Sequence, residues 1–499
     1  MTGLLSAAIF VPLVGAVALL VAPRRAEHLA RPAALAVAVL PLGIMVVAWR
    51  RFDFATVGFQ LVDSLPWIPT LGVGYRVGLD GISLPLAAMT ALLFVVSVGY
   101  PADVKRRPRQ YFAAFLFLES ASLGVFLALD LFLFYVFFDL SLVGMYFLIG
   151  VWGHGDSQRS ALKFFLYTLA GSLAMLLAIL GLYLASEPRT FDMAALIAQQ
   201  PLRDAGLPAA LVFLGFAIGL GVKTPIVPFH TWLPPAHVDA PAPASAILAG
   251  VLLKMGTYGF VRIVLSMMPD TFERFALPLA IVAVVSIVYG ALVALAQTNL
   301  KRLVAYSSVN HMGYVILGLA AGAAGSAGSA GDADAARLAV NGATLEMVAH
   351  GLITGALFLL AGSVWSRAGT YEIDQLGGLA GRAPAMTGAT ILAAFASLGL
   401  PGLAGFVAEF QVFAGTFAIY PILAGAGLLG IVVTAALFLR MLQRVFLGVL
   451  PDRWAHWPDL SPTEVAALAP LLALVVAIGV APAWVLDVID TATAALVSR

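Results

Sequence analysis

Cysteine is absent from the 499 residues, which excludes disulfides, thiolate metal sites and Cys-ligated iron–sulfur clusters on this chain. Charge is scarce: 11% of the residues are Asp, Glu, Lys or Arg, 62% are hydrophobic, and the mean hydropathy is +1.00. A water-soluble chain of this length needs far more charge to cover its surface. The net charge of +1 and the lack of an acidic or basic tail offer nothing to nucleic acid. No GxxxxGK[ST] motif occurs, so any nucleotide chemistry belongs to a partner. The apolar run Leu4 to Val21 has no positively charged region before it and reads as a first span, not a cleaved signal.

What fills the chain is a succession of apolar windows of about 20 residues. They predict an all-α, polytopic membrane protein with about fourteen spans: 3–22, 32–49, 80–100, 111–129, 131–151, 161–185, 207–235, 243–268, 275–297, 301–323, 340–366, 386–419, 420–447 and 463–488. Loops after odd-numbered spans carry 15 Lys and Arg residues, against 9 on the other side, with "PADVKRRPRQ" supplying much of the bias. The richer side is expected to be cytoplasmic, which puts both termini outside. The Gly/Ala/Ser-rich stretch "AGAAGSAGSAGDADAAR" between spans ten and eleven reads as a flexible external loop.

Against this apolar background a few charges stand out. Only five of the 27 basic residues are lysines, and two of them, Lys223 and Lys254, lie deep in apolar spans. A buried amine can give up its proton near neutral pH, which arginine cannot. Lys163, near the start of its span, suits snorkelling to the interface as well as it suits a function. Asp139 interrupts "LFLFYVFFDLSLVGMYFLIG", where a carboxylate costs roughly 2.5–3.5 kcal/mol on the lenient insertion scale. Glu119, on the preceding span, falls at the same depth, some 14–16 Å from the shared turn at about 1.5 Å per residue. The two carboxylates look like members of ion pairs or a relay. His311 and His350 also fall at mid-depth, where imidazole suits a proton path. Glu346, four residues before His350, is expected to pair with that ring.

Two spans are broken. Gly219, Gly221, Pro225 and Pro228 interrupt span seven around Lys223 and before His230, and Gly399, Pro401, Gly402 and Gly405 interrupt span twelve before Glu409. Such breaks free backbone groups that line hydrated cavities, and paired breaks point to inverted repeats. The expected organisation is three N-terminal helices (1–110), a first five-helix repeat (111–268), a second (275–447) and a final helix (463–499).

The stretches "GVKTPIVPFHTWLPPAHVDAPAPASAILAGVLLKMGTYG", "QTNLKRLVAYSSVNHMGYVILG" and "MVAHGLITGALFLLAGSVWSR" resemble the antiporter-like membrane subunits of respiratory complex I. The resemblance covers about spans four to thirteen. It implies a proton-translocating subunit that performs no redox chemistry itself. Asp139, Lys223, Lys254 and Glu409 take the family's span-five, span-seven, span-eight and span-twelve positions, with His311 and His350 as bridging groups. Glutamate at position 409 is similar to the chain M branch, where other branches carry lysine. Position 139 departs from the family, whose residue there is glutamate, so the arm toward Lys223 is one methylene shorter.

The resemblance further implies FMN and iron–sulfur clusters on partner subunits, none on this chain, and two other antiporter-like subunits on either side. Lipid, water and protons complete the expected surroundings, in a bacterial cytoplasmic membrane. Rival readings are a subunit of a sodium/proton antiporter or membrane hydrogenase on the same fold, a stand-alone ion-coupled solute transporter, and a structural membrane arm.

Overall fold

The computed structural model describes residues 3–326 and 330–497. Among them, eleven helices are long and apolar enough to cross a membrane, and the shorter Ser83–Gly99 makes a twelfth crossing. Two further crossings are assembled from paired half-helices, Leu207–Lys223 with Leu233–Asp239 and Pro384–Ser397 with Ala404–Ile419. The expected fourteen spans and both broken helices are therefore present. Each break sits where the sequence denies the backbone its i to i−4 bonds: Pro225 and Pro228 after Lys223, and Pro401 flanked by Gly399 and Gly402, both at positive φ.

Three features differ from the sequence-based expectation. A two-stranded antiparallel hairpin, Gln60–Ile68 with Val73–Leu79, occupies the connection between spans two and three. Hydropathy does not report so short a hairpin outside the membrane. The stretch expected as an external loop is mostly helix: span ten (Leu300–Gly325) runs into it and span eleven (Ala330–Ala368) begins within it. Residues 327–329 of that loop lie outside the described residues. Alanine favours helix wherever neighbouring spans cover it, so composition alone misled. Finally, span fourteen stops at Val480, and Ala483–Val497 forms a separate terminal helix.

Gly425, Gly427 and Gly430 fall in GxGxxG spacing, but inside span thirteen (Pro421–Val445) with no strand before them. Two of them are packing glycines: side chains at Gly427 and Gly430 would press into Phe413 and Ile287.

The hairpin is fastened to the bundle by buried charge. Asp130 caps span five (Leu131–Trp152) by accepting from the Phe132 and Leu133 amides, while its other oxygen accepts from Gly74 N at 3.0 Å and Arg76 Nη1 at 3.3 Å. Just beyond the hairpin, Asp80 meets Arg262 of span eight at 2.5 Å, and Arg262 also donates to the Tyr258 hydroxyl at 3.0 Å beneath the Phe59 ring. Removing one member of such a pair strands the other, at a cost of about 3–5 kcal/mol. Arg262→Ala is accordingly expected to lower the thermal stability of the detergent-extracted protein sharply. The paired change Asp80→Leu with Arg262→Met should recover most of the loss. Equal melting of Arg262→Ala and wild type would show that the pair contributes nothing.

At the other end of the bundle Arg367 holds Glu464 through two bonds of 2.7 and 2.8 Å, tying span fourteen (Pro462–Val480) to span eleven. Arg337 and Asp490 likewise tie the terminal helix to span eleven.

Candidate functional site

Span eight (Ala242–Leu265) is not a uniform α-helix. Leu248–Leu252 and Phe260–Leu265 are π-helical, on either side of the α-turns that carry Lys254. Widened turns of this kind recur at functional sites. Here the amine folds back onto the Ala249 carbonyl, five residues earlier, at 2.6 Å. The same nitrogen lies 2.6 Å from His350 Nδ1 on span eleven. An ammonium donating to a neutral imidazole is a proton donor already facing its acceptor.

From His350 the line continues. The His350 and His311 rings are 5.2 Å apart, centre to centre. His311 Nδ1 faces two carboxylates, Glu346 at 3.1 Å and Glu409 at 3.6 Å, and its Nε2 meets Ser397 Oγ at 3.0 Å. Every one of these side chains is at least 96% shielded from solvent. The broken span twelve makes the arrangement possible, because any side chain at Gly399 would collide with the Glu409 carboxylate. Glu346 thus pairs with His311, not with His350 as its i, i+4 spacing suggested; the His350 Nδ1 face is already taken by Lys254.

The Asp139 and Lys223 region is looser. Lys223 ends the first half of span seven, buried, with Nζ 3.2 Å from Ser141 Oγ and 4.8 Å over the Phe138 ring. Among the described residues no ion pair within 4 Å joins it to Asp139, although the two lie within electrostatic reach. The Asp139 carboxylate neighbours the Tyr135 and Ser172 hydroxyls, and its Oδ1 has no hydrogen-bond partner among the described residues. A direct pair is therefore absent, in keeping with the shorter arm of aspartate at this position. Glu119 is fully buried with both oxygens unpartnered among the described residues, so no lysine pairs with it.

Lys163 and His230 attend to the break in span seven. Lys163, exposed, donates to the Thr231 carbonyl at 2.7 Å, and the Trp232 indole donates to Val222 O at 2.9 Å, so carbonyls freed by the break find partners. His230 sits edge-on to Tyr289 at 5.2 Å with Nδ1 unpartnered among the described residues.

Sequence reasoning passed over two residues. Lys301 stands beside Arg302 at the start of span ten, where it reads as one of the loop charges, yet it is fully buried, with Nζ 2.5 Å from the Ala240 carbonyl and over the Tyr371 ring. Arg262, one of the nine charges on the opposite side, is likewise buried, so the bias between the two sides stands at 14 against 8. His237, on the second half of span seven, is stacked on Phe358 with both ring nitrogens unpartnered among the described residues, within electrostatic reach of Lys301 and Lys254. "LPPAHVDAP" contains the signal, a histidine beside a helix break, but its proline-rich setting reads as a loop.

Beside Lys301, Asp239 accepts from Ser160 Oγ at 2.5 Å, and the connection after span five brings His154 onto Trp365 with rings 4.5 Å apart. Burial, then the Lys301 charge, pushes His154 down to about 4, so its ring is neutral at neutral pH.

Residues 128–437 match the family described as NADH:quinone oxidoreductase/Mrp antiporter, TM. The NADH-quinone oxidoreductase subunit M of Rhodobacter capsulatus is 39% identical, with 100% of this chain and 97% of that protein covered. The F(420)H(2) dehydrogenase subunit M of Methanosarcina mazei is also 39% identical, over 92% of this chain and 91% of that protein. A chain in the structure of respiratory complex I from Thermus thermophilus with bound NADH superposes with a TM-score of 0.87 at 31% identity, covering 99% of this chain and all of that one.

Proposed function

The chain belongs to the NADH:quinone oxidoreductase/Mrp antiporter transmembrane family, and from that premise we propose that it is the proton-translocating chain M of a respiratory complex I membrane arm. The observation that carries this reading is the buried line Lys254, His350, His311, Glu409, whose members come from four different spans. Protons are taken up on the side of Asp239 and Lys301, pass His237 to Lys254, and move through the two imidazoles to Glu409 for release on the opposite side. Each step uses a group that can both accept and donate, and water bridges the gaps longer than a hydrogen bond. Asp139 and Lys223 act on this line through charge: with its carboxylate close, Lys223 stays protonated, and separation of the two changes the field at Lys254.

Residues 111–268 and 275–447 are the two inverted five-helix units, with spans seven and twelve equivalent and helices 1–110 and 463–499 flanking them. Both termini face outward from a bacterial cytoplasmic membrane, because the arginine-rich loops mark the inner side. Electron transfer, FMN and iron–sulfur clusters belong to partner subunits, and two further antiporter-like subunits flank this one in the arm.

Purification of the intact complex through a tag on this chain tests the reading. Co-purifying flavin and iron–sulfur subunits, with NADH-driven proton uptake into inside-out vesicles that a protonophore abolishes, is the expected result. A chain that purifies alone and moves a solute in proteoliposomes would overturn it. The likeness to the F(420)H(2) dehydrogenase subunit favours one second reading, the same proton path driven by another reduced donor. Donor oxidation by the purified complex separates the two.

A further inference from the structure

The proton line as described needs one carboxylate at its far end, yet the structure holds two. Glu346 on span eleven and Glu409 on span twelve both face His311 on span ten, and the ligating atoms of the three lie within 4.8 Å of one another. Glu346 is the nearer to the imidazole, at 3.1 Å against 3.6 Å. Its Oε1 takes the His311 contact, and its Oε2 has no partner among the described residues although the side chain is 99% buried. A carboxylate oxygen left bare in an apolar interior is costly unless it carries or shares a proton.

Charge balance leads to the same place. The groups facing the cluster are Lys254, which stands within electrostatic reach of Glu346, His350 beside it, and the Tyr314 ring edge-on to His311 at 5.3 Å. Lys254 is the one amine among them, and the charge it carries when protonated is the only positive charge available there among the described residues. It balances one ionised carboxylate, and a second negative charge at this spacing would stand unbalanced in low dielectric. Ser397 Oγ holds the His311 Nε2 side, which leaves Nδ1 as the atom that faces the two acids.

We propose that Glu346 is a second proton-carrying residue, which with Glu409 forms an acid pair holding one proton at rest and accepting another from His311. In the transfer Lys254 gives a proton to His350, and His350 passes one on to His311, which becomes an imidazolium. The N–H bond at His311 Nδ1 then breaks and an O–H bond forms on whichever carboxylate is ionised, so His311 returns to the neutral imidazole. The net charge of Lys254 plus the pair is zero before and after, so no charge is left uncompensated in the membrane interior. The far station thereby stores two protons where a single glutamate stores one. This rests on the proton-relay reading above.

Infrared difference spectroscopy of the assembled complex tests it, because the carboxylic-acid stretch of the pair can be read whether or not the complex pumps. With a shared proton, Glu346→Gln and Glu409→Gln should each remove a deuterium-sensitive carboxylic-acid band present in wild type. Each single variant leaves one carboxylate opposite Lys254, fully ionised. Glu346→Gln should also slow NADH-driven pumping about tenfold, the scale of one charge-assisted hydrogen bond, and alter its pH profile, with Glu346→Asp recovering most of the rate.

Persistence of the band in either glutamine variant overturns the shared proton. Should Glu346→Gln fail to assemble, the band in Glu409→Gln decides alone. A wild-type rate and pH profile in an assembled Glu346→Gln complex also overturns the role of Glu346. Loss of the bands in a complex that never pumps would instead uphold the acid pair and count against the relay.

Discussion

Lys254→Met should abolish proton pumping by the assembled complex and slow the coupled electron transfer with it. The expected loss is large because, among the described residues, the lysine is the one side chain hydrogen-bonded to the His350 ring, with Nζ 2.6 Å from Nδ1. Methionine fills nearly the same volume in a fully buried site, so packing on span eight is kept while the transferable proton is removed. General acid–base groups typically contribute about 10²–10⁴-fold, and among the described residues the other buried amines, Lys223 and Lys301, are held elsewhere, by Ser141 and the Ala240 carbonyl. Proton uptake into inside-out vesicles, measured alongside NADH oxidation and subunit content, is the assay. Full pumping by an assembled Met variant would remove Lys254 from the line. Arginine at the same position should also fail, because it keeps the charge but never releases the proton.

The second large effect is expected at Asp139. Its carboxylate is the acid that neighbours Lys223, whose amine is otherwise met by Ser141 Oγ at 3.2 Å and the Phe138 ring face. Asp139→Asn removes the counter-charge and should cut pumping by about 10–100-fold, the scale of a hydrogen bond to a charged group. Asp139→Glu is the sharper experiment. The added methylene allows a direct contact with Lys223, where aspartate works across a gap or through water. If the pair has to open in each cycle, glutamate should retain pumping while changing its rate modestly. Wild-type pumping in Asp139→Asn would reduce Asp139 to a structural residue.

The candidate site was half legible beforehand. Lys223, Lys254, His311, His350 and Glu409 could be picked out because each interrupts an apolar run, and hydropathy reports depth in the membrane directly. Pairing was not legible. Glu346 shares a helix face with His350 and yet turns to His311, because the rotation of span eleven against spans ten and twelve decides which neighbour a side chain meets. Lys301 read as a loop charge because it starts its helix beside Arg302, although the span-seven half-helix and Tyr371 bury it completely. His237 was hidden among prolines that read as a connection.

By itself the sequence determined the solvent of this protein, the number of its crossings and the two places where a helix must break. Each of these follows from local properties: the length of an apolar run, the missing N–H of proline, the free rotation of glycine. Tertiary structure alone decided which buried charges face one another. It joined Lys254 to His350 across 96 residues, set two carboxylates against one imidazole, and left Asp139 short of Lys223. Depth along the membrane normal is a one-dimensional quantity that a hydropathy pattern encodes. Contact between helices also depends on their rotation and neighbours, which side-chain packing settles only once all fourteen crossings are in place.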